Sequence, residues 1–172
     1  MNIAVRKFGW IAFLVGAIGF GIALIFGQKM NYSTQELIGY AVMGMTVALV
    51  YFGIAYYRDS VNGGKLTFGE ALKTGLLIAG LGALGMALID IFFTTFINPN
   101  FFAEYGAYQI QMAEESGNSA LVEQAKESNK LYEEINPTAL SFLGGAMMFF
   151  MTFVLGAIVT VISGFILKKS KL

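Results

Sequence analysis

Tyr56-Tyr57-Arg58-Asp59-Ser60-Val61-Asn62-Gly63-Gly64-Lys65-Leu66-Thr67-Phe68-Gly69-Glu70-Ala71-Leu72-Lys73-Thr74-Gly75 is the stretch that decides the fold, because it is polar, short, and set between two apolar segments. Residues 37–57 before it and 74–97 after it are each long enough to cross a bilayer, since about 20 helical residues cover a hydrocarbon core of about 30 Å. The stretch is therefore an elbow at a membrane surface. Tyr56-Tyr57-Arg58 ends one helix with interfacial side chains, and Asn62-Gly63-Gly64 turns the chain. Thr67 restarts a helix, its hydroxyl capping while Glu70 reaches back from three residues on, the spacing of a capping box.

Outward from the elbow, residues 8–26 and 139–167 are two further apolar runs of spanning length. The first follows a short leader bearing Arg6 and Lys7. It reads as a retained span, because it is long for a signal sequence and Gly27-Gln28-Lys29 offers no small-x-small cleavage site. Residues 28–36 form a brief polar connection, in which Asn31-Tyr32-Ser33 matches a glycosylation sequon by coincidence. Asn98-Pro99 ends the third span, since proline cannot continue the helical ladder. Residues 100–136 hold seven glutamates, yet Phe101, Tyr105, Tyr108 and Met112 recur at helical spacing, as do Leu121, Ala125, Ser128 and Tyr132. With Ser116-Gly117-Asn118 as stop, turn and cap, this segment predicts a helical hairpin. Asn136-Pro137 then caps and starts the last span. The fold class expected is all-α: one domain over residues 1–172, an integral membrane four-helix bundle with an extramembrane helical hairpin between the third and fourth spans.

Arg58-Asp59, Asn62-Gly63-Gly64, the run Thr67 to Lys73 with Gly75, and Phe96-Ile97-Asn98-Pro99-Asn100-Phe101 together resemble the pattern of the domain of unknown function 4199 family (DUF4199), small membrane proteins of Gram-negative bacteria. The likeness extends over nearly the whole chain. It implies architecture only and carries no activity or catalytic residue with it; the localisation expected is the bacterial inner (cytoplasmic) membrane.

Composition agrees with the membrane reading, with 56% hydrophobic and 13% charged residues. The net charge of zero conceals a segregation. Of eleven basic residues, Arg6, Lys7, Arg58, Lys65, Lys73, Lys168, Lys169 and Lys171 fall on one side, leaving Lys29, Lys126 and Lys130 opposite. The positive-inside rule then places both termini in the cytoplasm and the acidic hairpin outside. The chain has no Cys and no His. It therefore lacks thiolate nucleophiles, sulfur-ligated metals and the commonest general base, and the expectation is a protein that is not an enzyme, with no catalytic residues, no cofactor and no metal. The seven hairpin glutamates lack calcium-loop spacing, and the bases are too dispersed for nucleic acid.

Small residues recur every fourth position at Gly75, Ala79, Ala83 and Ala87, with shorter runs at Gly19-Ala23-Gly27, Gly44-Ala48 and Gly156-Thr160-Gly164. Such ridges let helices approach closely, which matters where lipid removes the hydrophobic preference for packing. Asp90 is the acidic residue inside an apolar span and a candidate proton or cation site. Counted from Lys73 it lies about 25 Å along the helix, near the outer edge of the core, and the favoured reading is an outward-facing interfacial carboxylate paired with Lys29. Arg58 is read as a surface-positioning residue, Glu70 as a cap and Lys73 as a snorkelling anchor. Phe101, Tyr105, Tyr108, Met112 and Tyr132 form the candidate interaction surface. The function expected is a non-enzymatic accessory or scaffold protein with an outward-facing interaction hairpin; the alternative is a subunit of a small transporter or channel using Asp90. The partners expected are the lipid bilayer and either further copies of this chain, as a homo-oligomer, or a membrane or periplasmic protein.

The orientation is directly measurable. A cysteine placed at Ser116 reacts with a membrane-impermeant thiol reagent added to intact cells, and one at Ser60 does not; the opposite labelling pattern would invert the topology.

Overall fold

The computed structural model describes residues 3–168, and the tail bases Lys169 and Lys171 lie outside them. Among these residues the chain forms four long apolar helices, α1 (Ile3–Gly27), α2 (Tyr32–Val61), α3 (Phe68–Ile97) and α6 (Pro137–Leu167), of 25, 30, 30 and 31 residues. Two shorter helices, α4 (Phe101–Glu115) and α5 (Ser119–Glu134), connect α3 to α6. The four long helices are long and apolar enough to cross a membrane. Their outward side chains, among them Trp10, Ile22, Phe52, Ile166 and Phe150, are half exposed or more. On a water-facing surface that would be a liability, and against lipid tails it costs nothing.

Helix boundaries follow local chemistry. At the elbow, Gly63 and Gly64 take φ of +61° and +78°, a left-handed conformation open to glycine. Gly64 N–H donates to the Arg58 carbonyl at 2.8 Å, and the Asn62 side chain donates to the Lys65 carbonyl at 2.7 Å. The capping box is formed in both directions: Glu70 N–H donates to Thr67 Oγ1 at 3.3 Å, and Thr67 N–H donates to Glu70 Oε2 at 2.8 Å. Gly117, at φ +69°, turns the hairpin between α4 and α5. Asn136 accepts from Thr138 N–H at 2.9 Å, and Pro137 opens α6. The second span starts earlier than expected. Asn31 caps it by accepting from Thr34 N–H at 2.8 Å, so Asn31-Tyr32-Ser33 is a helix start rather than part of a linker.

α3 occupies the middle, packed most extensively against α6 and next against α1. Its small-residue ridge faces α6. A Cβ built on Gly75 would lie 2.5 Å from the Thr160 side chain, and one on Gly156 would lie 2.5 Å from the Ala79 Cβ. Ala79 and Ala83 are 4% and 0% exposed. A second small face, not anticipated from the sequence, meets α1. Gly85 lies against the Phe13 carbonyl, and Gly16 against the Gly82 carbonyl and Met86, within a π-helical turn over Val15–Gly19. Gly44 has no neighbour within 4 Å of a built Cβ, so the expected Gly44-Ala48 ridge is not a contact. Larger side chains fill the two halves of the interior: Val5, Val50, Ile54 and Ile78 near the elbow, and Phe20, Met43, Met86 and Phe93 toward the hairpin.

The elbow end gathers bases. Lys7 Nζ lies 4.6 Å from the Tyr56 ring centroid, and Lys168 Nζ lies 5.6 Å from that of Phe165, whose ring packs against Phe68 at 4.8 Å, tilted by 38°. The charge segregation read from the sequence is thus a difference between two ends of one bundle.

Because Ala83 is sealed at a helix contact while Leu84 is 40% exposed, Ala83→Leu is expected to destabilise the bundle by about 1–3 kcal/mol through overpacking, and Leu84→Ala by less. Unfolding in a denaturing detergent series checks the order; equal losses would show that the assigned face is wrong.

Candidate functional site

Asp90 follows Ala83 and Ala87 on the same side of α3, three residues after the ridge's last alanine, so the ridge that draws α6 close also carries the carboxyl inward. Asp90 is 6% exposed. Its Oδ2 lies against Gly144 of α6, where a built Cβ would stand 3.4 Å from that oxygen and 2.5 Å from Phe102 Cζ. The missing side chain leaves a space that the carboxyl and the Phe102 ring share. Next to it, Gly145 receives the Ile91 side chain and the Ala87 carbonyl. The nearby hydroxyls are turned away: Thr94 Oγ1 donates to the Asp90 backbone carbonyl at 2.9 Å, and Ser141 Oγ donates to the Pro137 carbonyl at 3.1 Å. Among the described residues the carboxylate has no ion pair, and no side chain or backbone group hydrogen-bonds to it. Asp90 therefore faces inward rather than outward as expected, and it has no Lys29 partner. Azimuth decides burial, and the azimuth of Asp90 is that of the ridge.

The outer hairpin covers this end. Tyr105 Oη donates to Glu36 Oε1 of α2 at 2.7 Å, and Gln109 Nε2 donates to the same Tyr105 oxygen. Tyr32 Oη and Asn98 Nδ2 donate to Glu104 Oε2 at 3.3 and 3.0 Å. Around these bonds Tyr32 packs on Tyr108 at 4.9 Å and on Tyr105 at 5.8 Å, and Phe101 meets Phe93 edge-on at 6.1 Å. Burial first, and the Glu36 carboxylate second, hold the Tyr105 hydroxyl well above the ordinary phenol range, so it remains a donor at any physiological pH. Phe102 is braced from α5 by Tyr132, ring to ring at 5.9 Å. The two hairpin helices meet where Gly106 accommodates Asn129 and Tyr132. The Lys126–Glu114 pair at 3.6 Å is exposed at both ends and adds little.

Of the expected interaction surface, Phe101, Tyr105 and Tyr108 of α4 and Tyr132 of α5 make contacts within the chain and are half-buried. Tyr105 and Tyr132 also line, with the 46% exposed Met112, a groove of about 400 Å³ between α4 and α5. The other candidates lie at the elbow, the far end from Asp90. Arg58 is joined to Asp59 through two bonds, at 2.6 and 2.9 Å. Glu70 serves the capping box, and Lys73 is exposed. Among the described residues no three His, Cys, Asp or Glu side chains gather as a metal would require.

A family model described as "Protein of unknown function (DUF4199)" matches residues 7–169. The chain belongs to this family. The match runs from the start of α1 through the end of α6 and takes in the elbow, Asp90, the hairpin and Gly144 alike. No curated protein and no solved structure gives a significant match. Among the described residues of this DUF4199 chain, Asp90 is the titratable group most completely enclosed.

Removing the Tyr105 hydroxyl tests the hairpin's attachment. Tyr105→Phe deprives Glu36 of its donor, and hydrogen bonds to charged groups contribute about 1.5–3 kcal/mol, so amide exchange along α4 should quicken by roughly tenfold or more while α3 and α6 are unchanged. Unaltered protection in α4 would show that ring packing alone holds it.

Proposed function

We propose that this protein is a non-enzymatic subunit of a bacterial inner-membrane system, with both termini cytoplasmic, that takes up and releases a proton or small cation at Asp90. One observation carries the reading: a carboxyl 6% exposed, within a helix long enough to span a bilayer, with no counter-charge among the described residues. An ionisable group in such a place is expensive to keep, and where it persists it usually serves a pathway or a relay. The lack of His and Cys in the chain favours binding over bond-breaking chemistry. Four spans are few for a transporter acting alone, so assembly with further copies or with another membrane protein is part of the proposal.

The accessory or scaffold reading stays as the second. It is favoured by the outer face of α5, where Glu123, Lys126, Glu127 and Lys130 are exposed beside the open groove and leave a folded module presented away from the bundle. Reconstitution in liposomes separates the two readings. Wild-type protein should carry a proton or cation flux that falls at least about tenfold in Asp90→Asn, because the amide keeps the shape and cannot exchange charge. An Asp90→Asn variant that inserts normally and matches wild type would leave the accessory reading standing.

A further inference from the structure

We infer that the occupant of the Asp90 site is a proton, that it arrives from the hairpin end, and that the Phe102 ring seated on Gly144 is the gate it passes. The inference rests on Asp90 being the functional group and adds which ion it takes and by which door.

The identity of the ion follows from the oxygen inventory. Calcium takes six to eight oxygen ligands and magnesium an octahedral set, and a bare alkali ion in an apolar surround is as dependent on a shell of oxygens to replace its water. Asp90 provides one carboxyl group. The hydroxyls one turn away lie along the backbones of their own helices, Thr94 Oγ1 on the Asp90 carbonyl and Ser141 Oγ on the Pro137 carbonyl, and neither hydrogen-bonds to the carboxyl. At Gly144 and Gly145 stand also the Phe102 ring and the Ile91 side chain, neither of which can ligate, and the Ala87 carbonyl, a single oxygen that leaves the set well short of a cation's shell. A proton needs one lone pair and removes the cost of the buried charge by itself.

The surroundings also leave the carboxyl free of neighbouring charges. α6 contains no titratable residue. On α4, Glu104 is turned to Tyr32 and Asn98, and Tyr105 to Glu36. On α5, Tyr132 meets Phe102 with its ring. Glu36 of α2 is held by Tyr105, and Glu70 and Lys73 of α3 are at the elbow.

The door follows from where the packing is tight. Toward the elbow, α3 and α6 are in near-backbone contact at Gly75 and Gly156, and Ala79, Ala83 and Ile78 are sealed. Toward the hairpin, the Phe102 ring shares the space at Gly144 with the carboxyl, and it is carried on a module docked onto α2 through side chains.

Carbodiimide labelling of full-length protein in liposomes tests this without relying on flux. A water-soluble carbodiimide with a nucleophile, read by mass spectrometry at Asp90, should label wild type slowly and Phe102→Ala at least about tenfold faster. Gly144→Ala, whose new Cβ displaces the ring tip while remaining at ordinary contact distance from Oδ2, should move in the same direction. Dicyclohexylcarbodiimide, which enters through lipid, should label all three alike and so reports that each is folded around a reactive Asp90. Labelling should rise as pH falls and be indifferent to sodium, potassium or magnesium. Equal water-soluble labelling in wild type and both variants would overturn the gate, and protection by one of those metal ions would overturn the proton. Flux insensitive to Asp90→Asn would instead defeat the functional reading while leaving these labelling results as they are.

Discussion

Contact between helix backbones, made possible by missing side chains, is what the rest of this structure depends on. Lipid tails are as apolar as leucine, so burying Ile78 or Val50 gives little net preference for a helix neighbour over lipid. What does favour association is dispersion at short range, and that is available only where nothing holds the helices apart. α3 meets the requirement on two sides at once, toward α6 with Gly75, Ala79 and Ala83, and toward α1 with Gly82 and Gly85. It becomes the central helix for that reason, and its length sets the distance between the elbow and the hairpin.

The same ridge accounts for the buried carboxyl. Ala87 extends the small-residue row, Asp90 takes the next place on that side, and Thr94 the one after, all three sealed. On a helix that turned a bulky face to α6, an aspartate at this depth could tilt outward to the headgroups. Here it is drawn between α3 and α6, and Gly144 supplies the room that makes it tolerable. Burial of Asp90 is thus a consequence of how the bundle is held together.

Much of this was legible in the sequence wherever the signal was local. The elbow's glycines, the Thr67–Glu70 box, the Asn98-Pro99 exit, the Ser116-Gly117-Asn118 turn and the Asn136-Pro137 start all act within a few residues, and each is formed. Asp90 was legible too, had its spacing from Ala83 and Ala87 been read as an azimuth as well as a depth. The docking of the hairpin was not. Tyr105 and Glu36 are 69 residues apart, Tyr32 and Glu104 72, and a helical stripe of aromatics states that something will cover it without stating what. Asn31 was misread because Gln28 to Glu36 is polar enough to pass for a linker, whereas a helix can begin with polar turns that project from the membrane.

The two ends of the bundle differ in how firmly they are closed, and this difference bears on what the protein can do. At the elbow, Leu66, Ala71 and Leu167 are buried together, and backbone contact begins one turn further in. At the hairpin end, closure relies on two tyrosine-to-glutamate bonds, the Asn98–Glu104 bond and a set of aromatic contacts. Bonds to charged groups contribute about 1.5–3 kcal/mol each, and a region held by few buried contacts is the first to open. The least costly excursion from this structure is therefore a lifting of α4, and the side chain that leaves its seat when α4 lifts is Phe102. The bundle is thus packed more closely at its basic end than at its acidic end, and its enclosed carboxyl lies next to the acidic one.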